Sequence, residues 1–283
     1  MLNEPRSAED YPPRQVEAAR RVIVDVMQTL ASFNDCIVLV GGWVPDLLID
    51  QRGEPHIGSI DVDLVLDAAK LNDGRYASML ELLVKTRRYK LGEKPFQFVT
   101  EIDLGDGLPP ITVEVEFLAP QDVKTEKNIP KLIEGFRVLK VEGSDAAFNS
   151  PITRKIEGWM ASGASNTVSL QIASIPDFLV MKSFALDGRE KPKDAYDICY
   201  CLDNYEDGID GLADAWRARY DKDQDIQKAV SILGEKFSST NSFGPQQVVA
   251  FHNETNSELR AQHARRAYEL IKRFLERVHG SIQ

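Results

Sequence analysis

The amino-acid sequence predicts an α+β protein in which a mixed-sheet domain is followed by a helical domain. Runs typical of strands alternate with helical periods in the first part of the chain, and from Pro176 onward the pattern is helical almost to the end. The chain has 283 residues, 43% of them hydrophobic and 28% charged, which suits about two domains with a sizeable core. We therefore predict domains at residues 1–174 and 175–283.

The first three elements are predicted to be a helix, a strand and a short helix. Apolar residues recur at helical spacing over Pro13–Ser32, which predicts the first helix. The continuous apolar run Cys36–Val40 predicts a buried strand, and Gly41-Gly42 after it is typical of a tight turn. A short helix is predicted over Trp43–Ile49, with Pro45 tolerated in its first turn.

The rest of the first domain is predicted to be mainly extended. Strict alternation in Ser59–Leu66 predicts a strand with one apolar face, and a helix is predicted over Arg75–Thr86. Phe96–Ile102 and Ile111–Leu118 predict an antiparallel hairpin. Shorter strands are predicted over 136–141, 154–159 and 167–172, and helices of the second domain over 176–187, 192–203, 209–220, 223–236 and 256–278.

Composition and charge argue against several classes of protein. A net charge of −10 repels nucleic-acid backbones at long range, which disfavours broad non-specific binding. The sequence has no signal-peptide pattern and no apolar run near the roughly 18 residues of a membrane span, and its three cysteines lack ligand spacing. We expect a cytoplasmic protein with free thiols. The basic last helix is either a solvated mixed-charge face or a docking surface for RNA or a partner.

Asp61 and Asp63 are the strongest candidates for chemistry. Because one residue separates them on a strand, both side chains project from one face, where they repel unless a cation lies between them. Mg²⁺ commonly uses one or two protein carboxylates together with substrate phosphate oxygens, and two such ions assist in-line phosphoryl transfer. An Asp-x-Asp pair also occurs on many exposed turns, so the pattern alone leaves a structural role open.

Two further segments fit a site for phosphoryl transfer. Glu114 and Glu116 share one face of their predicted strand, so either could join the aspartates as a third carboxylate or simply face solvent. Gly41 and Gly42 leave backbone N–H groups open to a phosphate, although a plain strand-to-helix turn gives the same pattern. The combination of these segments is more specific than any one of them.

In this order, VGGW at 40–43, SIDVDL at 59–64 and VEVEF at 113–117 resemble the DNA polymerase beta-like nucleotidyltransferase superfamily. LVMKSFAL at 179–186 and REKPKDAYDI at 189–198 look like helical motifs of its AbiEii branch, which includes toxins of toxin–antitoxin systems. The resemblance implies an Mg²⁺-dependent enzyme, with Mn²⁺ as the alternative ion. Such an enzyme moves a nucleoside monophosphate from an NTP to an acceptor hydroxyl and releases pyrophosphate.

The resemblance also implies roles for individual residues. The implied catalytic residues are Asp61, Asp63, Glu116 and Glu114, and the implied metal ligands are Asp61, Asp63 and Glu116. The implied nucleotide-binding residues are Gly41, Gly42, Ser59, Lys182, Lys193 and Asp194. Lys182 has independent support, because an amine that emerges from an apolar helix stripe either extends to solvent or meets an anion. Lys193 and Asp197 could instead form a plain surface pair.

Two departures from the family pattern and several alternatives remain. The interval from Gly42 to Asp61 is long for the family, which predicts an insertion at about 50–58, and Asp46 stands where many members carry a basic residue. The acceptor is an RNA end such as tRNA or, alternatively, a small hydroxylated compound, and an antitoxin protein is the implied partner. The rival hypotheses are an inactive nucleotide-binding or protein-docking module on the same fold and a glycosyltransferase.

Overall fold

A computed structural model describes residues 4–50, 53–67, 69–71, 74–121 and 136–280. The helices are α1 (Pro13–Thr29), α2 (Trp43–Leu48), α3 (Arg75–Lys85), α4 (Ile175–Gly188), α5 (Pro192–Asn204), α6 (Gly208–Arg217), α7 (Gln224–Lys236), α8 (Phe243–His252) and α9 (Ser257–Val278). The strands are β1 (Ile37–Val40), β2 (Asp61–Leu66), β3 (Lys90–Leu91), β4 (Gln97–Ile102), β5 (Ile111–Pro120), β6 (Leu139–Val141), β7 (Ile152–Trp159) and β8 (Ser165–Ile172). Of the insertion expected at about 50–58, residues 51 and 52 lie outside the described residues.

The chain divides into two compact units. Unit 1 comprises Met1–Tyr11, Pro45–Gly58 and Ile175–Gln283, and unit 2 comprises Pro12–Val44 and Ser59–Ser174. The predicted first domain, residues 1–174, therefore contains two segments that group with the C-terminal helices. The sequence offers no local signal for this grouping, because it depends on contacts with residues that lie far along the chain.

Unit 2 is built on a mixed sheet, as the sequence predicted. Within the described residues the strand order is β3-β4-β5-β2-β1-β8-β7, and β6 pairs with β5. The pairs β2–β5, β1–β8 and β5–β6 are parallel and the other neighbours are antiparallel. The predicted hairpin is confirmed as β4–β5. Helix α1 covers the sheet with its apolar residues, which include the fully buried Val22, Val24 and Val26.

Strand β2 lies at the centre of this sheet, between β1 and β5. Val62, Leu64 and Val65 are fully buried, because the strand has covered neighbours on both edges and an apolar face beneath it. The prediction began this strand at Ser59, but the pairing begins at Asp61. Ser59 lies just before the strand and is buried, and its hydroxyl contacts Asp61 at the start of the strand.

Unit 1 contains the helices α4 to α9, and one of them was not predicted. Helix α8 begins after Ser242 with Phe243, Gly244 and Pro245, and the glycine and proline indicate a loop when they are considered alone. Proline is tolerated in a first helical turn because its missing N–H has no intrahelical partner there. Gly244 is also required by packing, since a Cβ at this position would collide with the ring of Phe237.

No helix in the described part of the chain is both long enough and apolar enough to cross a lipid bilayer. The three cysteines, Cys36, Cys199 and Cys201, are free and buried. Burial raises the pKa of the Cys36 thiol to about 11.

Candidate active site

Four carboxylates meet on one face of the sheet in unit 2. The parallel register of β2 and β5 places Asp61 beside Glu114 and Asp63 beside Glu116. Neighbouring strands lie about 4.8 Å apart, so side chains in the same register on the same face are in direct reach. All four side chains are partly exposed, whereas the valines between them are buried. We call these four residues the acidic cluster.

The glycine turn after β1 lies against this cluster. Gly41 has a φ of +71°, a left-handed conformation that favours glycine. A Cβ on Gly41 would collide with Oδ2 of Asp63, so the close approach of backbone and carboxylate also requires glycine. The turn is closed by a hydrogen bond of 3.1 Å from Val44 N to Gly41 O. Next to it, Trp43 Nε1 donates to Asp61 O at 2.7 Å.

Ser59 holds one of the aspartates. Its Oγ donates to Oδ1 of Asp61 at 2.5 Å, and the serine is only 4% exposed. A buried hydroxyl with a fixed acceptor restricts the orientation of that carboxylate. The nucleotide-binding role implied for Ser59 stays a prediction, and its contact in the structure is with Asp61.

Glu116 and Glu114 have different surroundings. Oε1 of Glu116 accepts hydrogen bonds from Lys94 Nζ at 3.1 Å and from Gln97 Nε2 at 3.3 Å. Glu114 has a pKa above its usual value, because burial raises it and the charges of Glu116 and Asp61 raise it further against the opposing effect of Lys94. Burial alone would lower the pKa of Lys94, but Glu116, Glu114 and Asp61 outweigh burial and raise it.

The donor chemistry of the cluster suits a hard divalent cation. Within the described residues, no group of three or more His, Cys, Asp or Glu side chains is arranged to hold a metal ion by itself. Mg²⁺ does not need such a group, since one or two carboxylates with substrate phosphate oxygens and water complete its shell. Asp61 and Asp63 provide such a pair, and both side chains are partly exposed.

Unit 1 contains a second group of charged residues, which we call the buried network. Lys182 Nζ lies 2.6 Å from Asp194 Oδ1 and 2.8 Å from Asp197 Oδ2. Lys193 Nζ lies 2.7 Å from Asp197 Oδ1, and Arg189 Nε lies 2.8 Å from Asp194 Oδ2. Both aspartates are fully buried and Lys193 is 2% exposed. Lys193 and Asp197 therefore form the expected pair, but in the interior and not on the surface.

Ion pairing outweighs burial for both aspartates and for Lys182 of the buried network. Burial opposes ionisation of Asp194, but Lys182 and Arg189 outweigh it and hold the pKa of that carboxyl at about 2. Lys182 and Lys193 likewise hold the pKa of Asp197 well below its usual value despite its burial. Burial alone would lower the pKa of Lys182, but the two aspartates raise it above its usual value. Lys182 therefore meets anions of its own chain.

His56 is a member of the buried network that the sequence analysis missed. Gly58 N donates to His56 Nδ1 at 3.1 Å, so the other ring nitrogen carries the hydrogen. That nitrogen, Nε2, lies 3.0 Å from Asp197 Oδ1 and donates to it. Burial and the charge of Lys193 together lower the pKa of His56 to about 4, against the opposing effect of Asp197. His56 lies in the segment interpreted as an insertion, where no pattern distinguishes a buried histidine.

The structure thus separates the predicted site residues into two groups. Unit 2 holds Gly41, Gly42, Ser59, Asp61, Asp63, Glu114 and Glu116. Unit 1 holds Lys182, Lys193 and Asp194. Within each group the side chains described above are in direct contact or in paired register, and their catalytic and binding roles stay predictions.

A mixed sheet with an Asp-x-Asp strand between a Gly-Gly turn and a second acidic strand is the arrangement that the resemblance to nucleotidyltransferases implies. Residues 29–277 match the family described as "Nucleotidyl transferase AbiEii toxin, Type IV TA system". The chain belongs to this family, which confirms the resemblance found in the sequence. It is a nucleotidyltransferase toxin.

Several solved structures match this chain at low sequence identity. One, from H. pylori and assigned as a nucleotidyltransferase, shares 14% identity with a TM-score of 0.46, covering 95% of this chain and 98% of its own. An antigenic nucleotidyltransferase-like protein from Paracoccidioides brasiliensis shares 18% identity with a TM-score of 0.42 over 79% and 89% of the two chains. The nucleotidyltransferase toxin MenT4 from Mycobacterium tuberculosis shares 13% with a TM-score of 0.38 over 92% and 88%. No curated protein matches the chain.

Proposed function

We propose that this toxin is a cytoplasmic, Mg²⁺-dependent enzyme that transfers a nucleoside monophosphate from an NTP to a hydroxyl of an RNA acceptor, with an antitoxin protein as its partner. The observation that carries the proposal is the register of β2 and β5, which pairs Asp61 with Glu114 and Asp63 with Glu116 beside Gly41. This arrangement concentrates negative charge where a triphosphate could approach only with cations.

The chain's own residues have distinct tasks in this proposal. Asp61 and Asp63 supply the carboxylates that hold the cation, and Ser59 fixes the orientation of Asp61. The absence of a side chain at Gly41 lets the carboxylate of Asp63 pack against the turn. The backbone N–H groups of a glycine turn at a helix start are suited to phosphate oxygens. Glu114 lies in register with Asp61 on the neighbouring strand, so its carboxylate is placed beside the cation-binding pair, where it can accept the proton of the acceptor hydroxyl.

The reaction is a displacement at the α-phosphorus of the NTP. The acceptor oxygen forms a bond to that phosphorus, the bond to the bridging oxygen of the β-phosphate breaks, and pyrophosphate leaves. When bound, Mg²⁺ supplies charge neutralisation for the attacking and leaving oxygens. Glu114 takes the proton from the acceptor hydroxyl as the new phosphodiester forms.

A groove in unit 1 supports RNA as the acceptor. It has a volume of about 280 Å³ and is lined by α8, α9 and the loop before α8, and none of its described lining residues is acidic. Ala261 and Ala264 contribute small side chains on α9, and Arg260 and Arg265 lie on either side of them. Within the described residues neither guanidinium has a carboxylate partner, although Arg260 Nη1 donates to Glu254 O at 3.1 Å. Two exposed guanidinium groups in a groove without acidic lining suit phosphodiester oxygens.

The proposed reaction predicts transfer of label from an α-labelled NTP to RNA. The full chain is incubated with each α-labelled NTP in turn and total cellular RNA, with and without EDTA. We expect label in RNA with at least one nucleotide, and its loss when EDTA removes the divalent cation. Transfer should also weaken steeply between low and moderate salt if the acceptor is RNA. Labelled small products that form independently of salt would favour the small-molecule acceptor instead, and transfer that persists in EDTA would contradict the metal requirement.

A double variant tests the groove. Arg260→Gln with Arg265→Gln removes two phosphate-binding charges, so we expect RNA affinity to fall by roughly 10-fold or more. The salt slope should shrink by about 0.7 to 0.9 for each phosphate that is no longer neutralised. The KM for the NTP should not change. Fluorescence anisotropy with labelled tRNA measures the effect without any need for catalysis.

The control for this variant is Lys272→Gln with Arg273→Gln, which removes two exposed charges from the same helix but outside the groove. An equal loss of RNA affinity in this control would show a general effect of net charge and would contradict the assignment of the groove. Unchanged affinity in the groove variant would contradict it directly.

A further inference from the structure

Lys94 is held by its backbone at the edge of the acidic cluster. It lies in the loop between β3 and β4, where Gly92 N donates to Gln97 O at 2.8 Å and Gln97 N donates to Lys94 O at 3.2 Å. Gln97 is itself buried, and a Cβ on Gly92 would collide with its side chain. The loop is therefore fixed to the start of β4, and the freedom of Lys94 resides in its side chain.

The ammonium group of Lys94 points at the cluster. Nζ lies 3.1 Å from Oε1 of Glu116 and 5.6 Å from the centroid of the Phe96 ring. Its charge also interacts with Glu114 and Asp61, so it acts on three of the four carboxylates. At the same time 55% of the side chain is exposed, whereas Glu116 is only 15% exposed. Such a side chain can leave its partner without a change in the backbone.

We propose that Lys94 is the built-in counter-ion of the acidic cluster and that a divalent cation displaces it from Glu116. The proposal rests on the cation site proposed above and assigns a residue that regulates entry to it. Four carboxylates in paired register repel one another, and the ammonium of Lys94 reduces this repulsion while no metal is bound. The contacts of Glu116 fit this role, since its Oε1 is directed to Lys94 and Gln97.

The ammonium group of Lys94 and a divalent cation would compete for the negative charge of Glu116. A dication that binds near Oε1 of Glu116 repels an ammonium 3.1 Å from that oxygen. The exposed aliphatic stem lets Nζ move to solvent, and Gln97 remains to hold Glu116. Lys94 is a positioning residue in this account, because it acts through Glu116 and not on the reacting atoms.

The test measures Mn²⁺ binding by electron paramagnetic resonance, without nucleotide. We expect Lys94→Met to tighten Mn²⁺ affinity by roughly 3- to 10-fold, because the competing charge is gone. Lys90→Met serves as the control, since it removes an exposed lysine from the neighbouring β3. In a background of Glu116→Gln the effect of Lys94→Met should disappear, because the two residues act through one contact. An unchanged affinity in Lys94→Met, or an equal gain in the control, would overturn the proposal.

A second readout follows Lys94 itself. The full chain is treated with a lysine-acylating reagent with and without Mg²⁺ alone, and labelling is quantified by mass spectrometry. We expect Mg²⁺ to increase labelling of Lys94 relative to Lys90, and equal labelling of Lys94 in both conditions would overturn the displacement. Asp61→Asn with Asp63→Asn separates the two proposals. If this variant binds Mn²⁺ as well as the original chain does, the cation site itself is wrong, whereas a failure confined to Lys94 leaves that site intact.

Discussion

Replacement of both Asp61 and Asp63 by asparagine should reduce nucleotidyl transfer by at least about 1,000-fold, which corresponds to roughly 4 kcal/mol of lost transition-state stabilisation. Asparagine keeps the size of each side chain and one oxygen that can accept a hydrogen bond. It removes the negative charges that would hold the cation. Because these carboxylates lie beside Glu114 and Glu116, their neutralisation relieves repulsion and should leave the thermal unfolding temperature unchanged or slightly higher. Transfer of label from an α-labelled NTP measures the activity.

Glu101→Gln is the matched control for this variant. Glu101 lies on β4 with an exposed side chain, and its register partner on β5 is Thr112. The substitution Glu101→Gln therefore removes a carboxylate that lies on the same sheet but outside the acidic cluster. We expect activity within about twofold of the original chain, as for most exposed substitutions. If the double aspartate variant retained comparable activity, the acidic cluster would not be the catalytic centre.

The second large effect is expected on stability, from Asp197→Asn. Asp197 is fully buried and contacts Lys182, Lys193 and His56. Loss of its charge leaves Lys193, which is 2% exposed, as a buried cation without its carboxylate. Breaking a buried ion pair from one side typically costs about 3–5 kcal/mol. We expect the free energy of unfolding in urea to fall by about that amount.

The control for Asp197 lies on the same helix. Asp203 pairs with Arg266 at 3.0 Å, but 25% of the aspartate side chain and 69% of the arginine side chain are exposed. Solvent screens this pair, so Asp203→Asn should change the free energy of unfolding by about 1 kcal/mol or less. Equal effects of the two substitutions would show that the buried network is no more important to stability than an exposed pair.

The parts of the candidate site that could be predicted are those that depend on local periodicity. A period of two residues is enough to place Asp61 with Asp63, and Glu114 with Glu116, on single strand faces. The turn at Gly41 follows from the apolar run before it. Pairing Asp61 with Glu114, however, requires the register between β2 and β5, and register depends on which strands become neighbours in the sheet. No residue of either strand encodes that neighbour by itself.

Local sequence patterns could not predict the contact of Lys94, the contact of His56 or the burial of Lys193. Lys94 is an ordinary lysine of a hairpin loop, and its significance comes from Glu116, which is distant in the sequence. The spacing of Lys193 and Asp197 is the same for an exposed pair and for a buried one. The difference is made by the packing around α5, which contacts α4, α6, α8 and α9. Such an environment exists only after the helices have assembled.

The grouping of Pro45–Gly58 with the C-terminal helices has a consequence for synthesis on the ribosome. His56 and Asp197 are separated by 141 residues, and at about 5–20 residues per second the partner is made roughly 7 to 28 s later. Until then the nascent polypeptide carries a histidine and its flanking segment without the groups that enclose them. Proteolytic cleavage after residue 174 would place Pro45–Gly58 and the C-terminal helices on different fragments. A single cut in the chain therefore cannot produce the two units.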